Sequence, residues 1–365
     1  MSDNYFKIFE KITKHNLNIK KIGKIIGKGS FSQVREILMN NNKKYAGKLI
    51  EKKKDQNSEE VNLKGKNIVR IDRIISENIK GKNYDFILME KAIFRDLGSL
   101  NEWLFNKNLL NQIYNPFDEI IGDNLLRFYT NQIIKALKLL DKYNYIHNDI
   151  KPQNLLITFE LILKLSDFGL LTKVKDKQNK IPEGTPGYLS PEYYINNEVD
   201  SKVAKKQDYF ALGATLYFIK YGETMLKYND KNEKIVIADE IAKLLEKERD
   251  NIKSGKLSDR EFINFLCSLI EYKPEDRPCF EEIYRNNWLN KNLKEIKNIH
   301  SINHLEEKKM IMEFQKSDFL IQIEKENEKD LNLENELKSK KNKNVKKDAN
   351  KKKINKLCRF RFKKK

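Results

Sequence analysis

The sequence predicts an α+β protein in which a small, β-rich lobe precedes a larger, mainly helical one. Three observations carry that reading. Between residues 21 and 89 apolar and polar side chains alternate in short runs, the period of a half-buried strand. Turn-forming stretches, Gly27-Lys-Gly29, Asn40-Asn-Asn-Lys-Lys44 and Lys80-Gly-Lys-Asn83, separate those runs as hairpin connections do. After Leu97 the apolar spacing changes to three and four residues, the period of a helix with one buried face.

Taken in order, residues 1–19 read as a short leading helix or a frayed arm, an N-terminal extension to the β-rich lobe. Strands are expected over 21–26, 33–38, 45–50, 69–76 and 84–89. Leu125, Phe128, Tyr129, Ile133, Ala136, Leu137 and Leu140 make one stripe of a buried helix. Two short strands, 155–158 and 163–165, come next around a turn, and further helices are expected near 207–220, 236–251, 260–270 and 280–288. Leu293, Ile296, Ile299, Ile302 and Leu305 continue a helical stripe, so 291–330 reads as a helical C-terminal extension, and 331–365 as a basic disordered tail.

With 365 residues the chain suffices for one large or two ordinary domains. Its three cysteines are scattered without a CxxC pair, which argues against a thiolate zinc site or a disulfide scaffold and for a reducing compartment. The N-terminus lacks an apolar signal core and the longest apolar run, 211–219, is too short to span a bilayer, so the expectation is a soluble intracellular protein, cytoplasmic and/or nuclear. The net charge of +19 suggests a nucleic-acid binder until it is located. Residues 338–365 hold fifteen Lys/Arg and one Asp, or +14, leaving +5 for the rest. A like-charge block of this kind is a solvated tail that could contact anionic lipid, RNA or an import receptor.

The residues that carry chemistry come in sequence order. Gly27-Lys-Gly-Ser-Phe-Ser-Gln-Val34 lies on a strand–turn–strand, where glycines let backbone amides approach phosphate oxygens. Alone, it is only a turn. Lys48, in Tyr45-Ala-Gly-Lys48, falls inside the next strand among apolar neighbours, where an ammonium group calls for an anion. The sharper signal is Tyr145-Ile-His-Asn-Asp-Ile-Lys-Pro-Gln-Asn154, with Asp167-Phe-Gly169 beginning eighteen residues after Asp149.

With these motifs in this order the chain resembles the eukaryotic protein kinase family, serine/threonine type, over roughly residues 20–290. Gly184-Thr-Pro-Gly-Tyr-Leu-Ser-Pro-Glu192 resembles the end of an activation segment, Asp208-Tyr-Phe-Ala-Leu-Gly213 the start of the large lobe's central helix, and Asp276-Arg-Pro278 the late arginine that pairs with Glu192. The resemblance implies a bilobal protein-kinase-like fold, with a small antiparallel β lobe carrying one helix (20–90) and a larger helical lobe (91–290). It implies Mg²⁺ and ATP as cofactors, protein substrates, and a phosphoryl transfer to serine or threonine hydroxyls. Residue by residue, it makes Asp149 the group that accepts or orients the attacking hydroxyl's proton, and Asn154 and Asp167 the Mg²⁺ ligands. Lys151 would neutralise the transferring phosphoryl group, Thr185 would mark the serine/threonine type, and Gly27, Gly29 and Lys48 would hold phosphates. Ile26, Val34, Ala46 and Leu156 would sandwich adenine, Met89 would be the gatekeeper, and the backbone of Glu90 and Ala92 would bond the adenine edge.

Departures from the family pattern shape the rest. Ser32 replaces the third glycine of the phosphate loop. Asn67 comes nineteen positions after Lys48, fewer than the family spends on its regulatory helix, and the glutamate expected to pair with Lys48 is Glu59 or Glu60. Asn148 stands where most members carry an arginine, and an uncharged side chain cannot pair with a phosphorylated loop. The only hydroxyl between Gly169 and Thr185 is Thr172, too near the metal motif for the usual phosphosite, so activity without activation-loop phosphorylation is expected. The shortened helix is the one opening for a competing class, a scaffold without catalysis. Lys48, Asp149, Lys151, Asn154 and Asp167 argue against it, and the 184–192 segment argues against a small-molecule or lipid kinase.

Overall fold

A computed structural model describes residues 2–29, 32–52, 63–91, 96–99, 123–158, 162–174, 178–180, 184–195, 198–222, 224–225 and 260–290. They fall into two compact units, one built from residues up to 52 and from 71–91, the other from 63–70 and the residues after 96.

The first unit is helix α1 (Ser2–Asn16) and five antiparallel strands, β1 (Ile19–Gly29), β2 (Ser32–Met39), β3 (Lys44–Glu51), β4 (Ile71–Ile79) and β5 (Lys82–Glu90), in the order β1-β2-β3-β5-β4. Register assigns every side chain a face. Val34 pairs with Lys48 and Lys48 with Ile87, while Glu36 pairs with Ala46 and Ala46 with Met89, so these share one face. Arg35, Ile37, Leu49, Phe86 and Leu88 take the opposite face.

That opposite face is sealed by α1. Tyr5, Ile8, Phe9 and Ile12 recur at helical spacing and pack with Ile37, Leu49, Phe86 and Leu88 in one core cluster. Phe9 meets Phe86 edge to face at 5.6 Å. Gly47 is required by this packing, since a Cβ there would lie 2.8 Å from both Ile37 and the Phe86 ring. Arg35 is fully buried on the same face. Its guanidinium lies 4.9 Å from the Phe6 centroid, and it donates from Nε to Gln33 Oε1 at 2.8 Å and from Nη1 to the Gly23 carbonyl at 3.3 Å. Of the two readings for residues 1–19, the helix is the one adopted, and it belongs to the core. The helix expected after Lys48 falls on residues outside those described, as do Glu59 and Glu60.

Several elements differ from the sequence reading. The strand expected over 69–76 begins at Ile71, because Asn67–Val69 pair instead with Leu165: Leu165 N–H donates to Asn67 O and Val69 N–H to Leu165 O, each at 2.9 Å. The helix expected over 280–288 is two, because Asn286 Oδ1 takes the Trp288 N–H at 3.0 Å and starts a new helix there. Short strands at 145–146, 172–173, 178–180 and 198–200 had no legible alternation.

In the second unit α2 (Asp123–Lys142) buries Leu126, Tyr129, Ile133, Ala136, Leu137 and Leu140. Then come β6 (Tyr145–Ile146), the hairpin of β7 (Leu155–Ile157) and β8 (Leu163–Leu165), and β9 (Thr172–Lys173), which returns to pair with β6. Next, β10 (Gln178–Lys180) pairs antiparallel with β11 (Glu198–Asp200) across the short helix α3 (Pro191–Ile195). Helix α4 (Lys206–Tyr221) is buried on nearly all sides, as a central helix should be. Gly213 lets it cross α5 (Arg260–Leu269) closely: a Cβ would sit 2.5 Å from Ile270 and 3.0 Å from Leu269. Helices α6 (Phe280–Tyr284) and α7 (Asn287–Asn290) close the unit, Trp288 packing on Phe262 and Phe265 at 5.0 and 5.4 Å. The helix expected near 236–251, the 291–330 extension and the tail lie outside the described residues. Among the described residues no helix is long and apolar enough to cross a membrane.

Candidate active site

Residues 147–154 form a loop between β6 and β7, and its shape is fixed by a buried polar network. The Asp208 carboxylate, at the start of α4, accepts the backbone N–H groups of His147 at 2.7 Å and Asn148 at 2.9 Å. Burial pushes the Asp208 carboxyl up to about 7, against the pull of those two donors. His147 is fully buried, and its Nε2 lies 3.1 Å from the Ser166 carbonyl while Nδ1 accepts from the Asp149 N–H at 3.3 Å. One ring nitrogen donates and the other accepts, so the imidazole is neutral. Burial holds its pKa down to about 4.

This network aims Asp149. Its carboxylate takes three side-chain donors: Lys151 Nζ at 2.8 Å and Asn154 Nδ2 at 2.8 Å on one oxygen, and the Thr185 hydroxyl at 2.7 Å on the other. Lys151 also donates to Thr185 Oγ1 at 2.6 Å, closing a triangle of Asp149, Lys151 and Thr185. Asn154 also donates to the Asp149 carbonyl at 2.7 Å, which leaves its own Oδ1 as a hard oxygen.

The β7–β8 hairpin brings in the second carboxylate. Ser166 N–H donates to the Asn154 carbonyl at 2.9 Å and Ser166 Oγ to the same oxygen at 3.0 Å, so the residue before Asp167 is fastened to Asn154. Asp167 adopts a left-handed backbone (φ 65°), and its Oδ1 accepts from Gly169 N–H at 3.4 Å. Phe168 then packs edge-on to His147 at 5.4 Å. A carboxylate and an amide oxygen on tethered residues suit Mg²⁺, which takes few protein oxygens and fills the rest with water and phosphate. Among the described residues no group of three or more His, Cys, Asp or Glu offers an all-protein metal cage.

The remaining expected site residues divide between the two units. Val34, Ala46, Lys48 and Met89 lie on the face of the first unit's sheet opposite α1, with Lys48 buried in the middle strand. Ile26 and Gly27 lie on β1, which Gly29 ends, and Ile26 is an exposed apolar side chain. Glu90 ends β5, Leu156 lies on β7 in the second unit, and Ala92 is outside the described residues. Lower in the second unit Arg277 forms a bidentate pair with Glu192, at 2.6 and 2.7 Å, as the motif pairing expected. Sequence reasoning missed His147 and Asp208 as parts of the site. The signal was present, a histidine two residues before Asp149 and an acid at the start of the central helix, but nothing local says that they meet.

A loop carboxylate clamped by lysine, amide and hydroxyl, with a second acid just after the adjoining hairpin, is an arrangement suited to phosphoryl transfer. The protein kinase domain family matches residues 20–289, and the chain belongs to it. The chain is similar to Aurora kinase of Saccharomyces cerevisiae, 26% identical over 289 residues, which are 78% of this chain and 73% of that protein. It is similar to Rho-associated protein kinase let-502 of Caenorhabditis briggsae, at 30% over 61% of this chain, and to CBL-interacting serine/threonine-protein kinase 12 of Arabidopsis thaliana, at 29% over 76%. It spans only 19% and 54% of those two proteins. Family and relatives together make it a protein serine/threonine kinase.

Proposed function

We propose that the chain transfers the γ-phosphoryl group of Mg·ATP to serine or threonine hydroxyls of protein substrates, and does so without a phosphorylated activation loop. The observation that carries the first part is the Asp149 carboxylate held at once by Lys151, Asn154 and Thr185. Asp149 then accepts or orients the proton of the incoming hydroxyl, Lys151 offsets negative charge beside it, and Thr185 fixes both. Asn154 and Asp167 are the residues that would hold Mg²⁺, and the ion would supply charge neutralisation at the phosphates. Lys48, Gly27 and Gly29 are assigned to the phosphates. Ile26, Val34, Ala46 and Leu156 are assigned to the adenine faces, and the backbone of Glu90 and Ala92 to its edge.

The second part is supported by how the activation segment is held. Its start pairs as β9 with β6, and its middle pairs as β10 with β11, both through uncharged backbone bonds. We further propose residues 20–290 as the catalytic domain, and an intracellular setting, cytoplasmic and/or nuclear. The basic run 338–365 is proposed to contact an anionic partner such as lipid, RNA or an import receptor, on its charge of +14.

The test is transfer of labelled γ-phosphate to generic protein substrates by phosphatase-treated full chain, by Asp149→Asn, and by the chain cut after Leu337. Label on serine or threonine that Asp149→Asn abolishes supports the reading, and an altered truncation reports the tail. ATP binding without transfer by the full chain would sink it in favour of a scaffold.

A further inference from the structure

The start of the activation segment is bonded to the loop carrying Asp149 at one residue, Asn148. Its side-chain amide is buried and fully engaged: Nδ2 donates to the Leu170 carbonyl at 2.7 Å and to Thr172 Oγ1 at 2.9 Å. Its third neighbour is the Ile146 carbonyl at 3.2 Å, and its Oδ1 accepts from Gln207 Nε2, also at 3.2 Å. Those contacts seize the segment just after Asp167-Phe-Gly169. The far end passes close by, since a Cβ added at Gly184 would lie 2.9 Å from the Asn148 carbonyl oxygen. The Asn148 backbone is left-handed (φ 66°), a conformation asparagine tolerates better than other side chains. All partners of the side chain are carbonyl, hydroxyl or amide, so its amide holds the segment through neutral groups, while the Asn148 backbone N–H is held by Asp208.

We propose that Asn148 is a positioning residue, a neutral buckle whose amide ties the start of the activation segment to the loop carrying Asp149. Thr172 is its acceptor rather than a phosphosite, and the pair does the holding that would otherwise need a cation and a phosphate. The inference rests on Asp149 acting in phosphoryl transfer, and the experiment separates the two.

In phosphatase-treated full-length enzyme, Asn148→Gly deletes the amide while keeping the left-handed backbone accessible. Thr172→Val deletes the hydroxyl at nearly constant shape, and Thr172→Ser retains it. Loss of a neutral hydrogen bond predicts that the first two variants lower kcat about tenfold, while KM for ATP stays put. Thr172→Ser should keep the wild-type rate, and the Asn148→Gly/Thr172→Val double variant should be no worse than Asn148→Gly. Hydrogen exchange at 168–174 should quicken in both impaired variants. Wild-type rates in Asn148→Gly and Thr172→Val, or losses that multiply in the double variant, would overturn the buckle. Should the wild type transfer no more label than Asp149→Asn, the kinase assignment fails instead, and the exchange data decide the buckle alone: unchanged protection refutes it.

Discussion

The sheet face covered by α1 and the polar network behind Asp149 are built from opposite materials. Phe9, Ile12, Ile37, Leu49 and Phe86 fill the first with hydrocarbon, and Arg35 is tolerated there only under aromatic rings and against two acceptors. The second is made of His147, Asn148, Asp149, Asn154, Ser166 and Asp208, joined by hydrogen bonds. Apolar burial stabilises without fixing direction. A hydrogen-bonded network costs desolvation but aims each group. The first region should therefore answer for stability and the second for rate.

The sharpest separation is expected from Asp149→Asn. It should lower kcat about 10³-fold and leave the melting temperature where it was; label transfer beside calorimetry reads both. A large stability loss would show that the network also supports the fold. Phe9→Ala should do the reverse, costing about 3–4 kcal/mol of unfolding free energy for a fully buried ring, with kcat per folded molecule preserved. Denaturant unfolding paired with activity at matched folded fraction would check it.

Next comes pH. His147 is held neutral with its pKa down at about 4 against an ordinary 6.5, so the unfolded chain binds a proton that the native one refuses. Its contribution is fully present above pH 6.5 and is lost as pH falls toward 4, up to about 3 kcal/mol. Asp208, raised to about 7, works in the opposite sense, losing stability as pH rises from the ordinary carboxylate range through 7. Urea midpoints from pH 4 to 7.5 should therefore fall less steeply on the acid side in His147→Asn than in wild type. An unchanged slope would mean His147 is not the acid-sensitive group. The smallest effect is expected at Gly47→Ala, where a methyl pressed between Ile37 and Phe86 should cost about 1–3 kcal/mol, measured by the same melts with ATP KM unchanged.

The sequence disclosed the two regions unequally. Strand alternation and the motifs around Asp149, Asn154 and Asp167 were readable because period and spacing are local properties, whereas the Arg277–Glu192 pair, 85 residues apart, was implied only by the family resemblance. The sheet's dependence on α1 was not readable, since the stripe Tyr5, Ile8, Phe9 and Ile12 has no partner until five strands are paired. Asn148 could be read as lacking a charge, but what its amide grips depends on where Leu170 and Thr172 return. The pairing of 178–180 with 198–200 was equally hidden, being three residues long and joined across an intervening helix.

Helix α1 lies before residue 20, where the family match begins, yet it shares a core with β2, β3 and β5. A fragment trimmed to the match would therefore carry Ile37, Leu49, Phe86 and Leu88 uncovered, a greasy plate suited to clumping or to chaperone capture. A protease cut near Asn18 followed by loss of α1 would have the same result, marking the protein for disposal without touching one residue of the loop around Asp149.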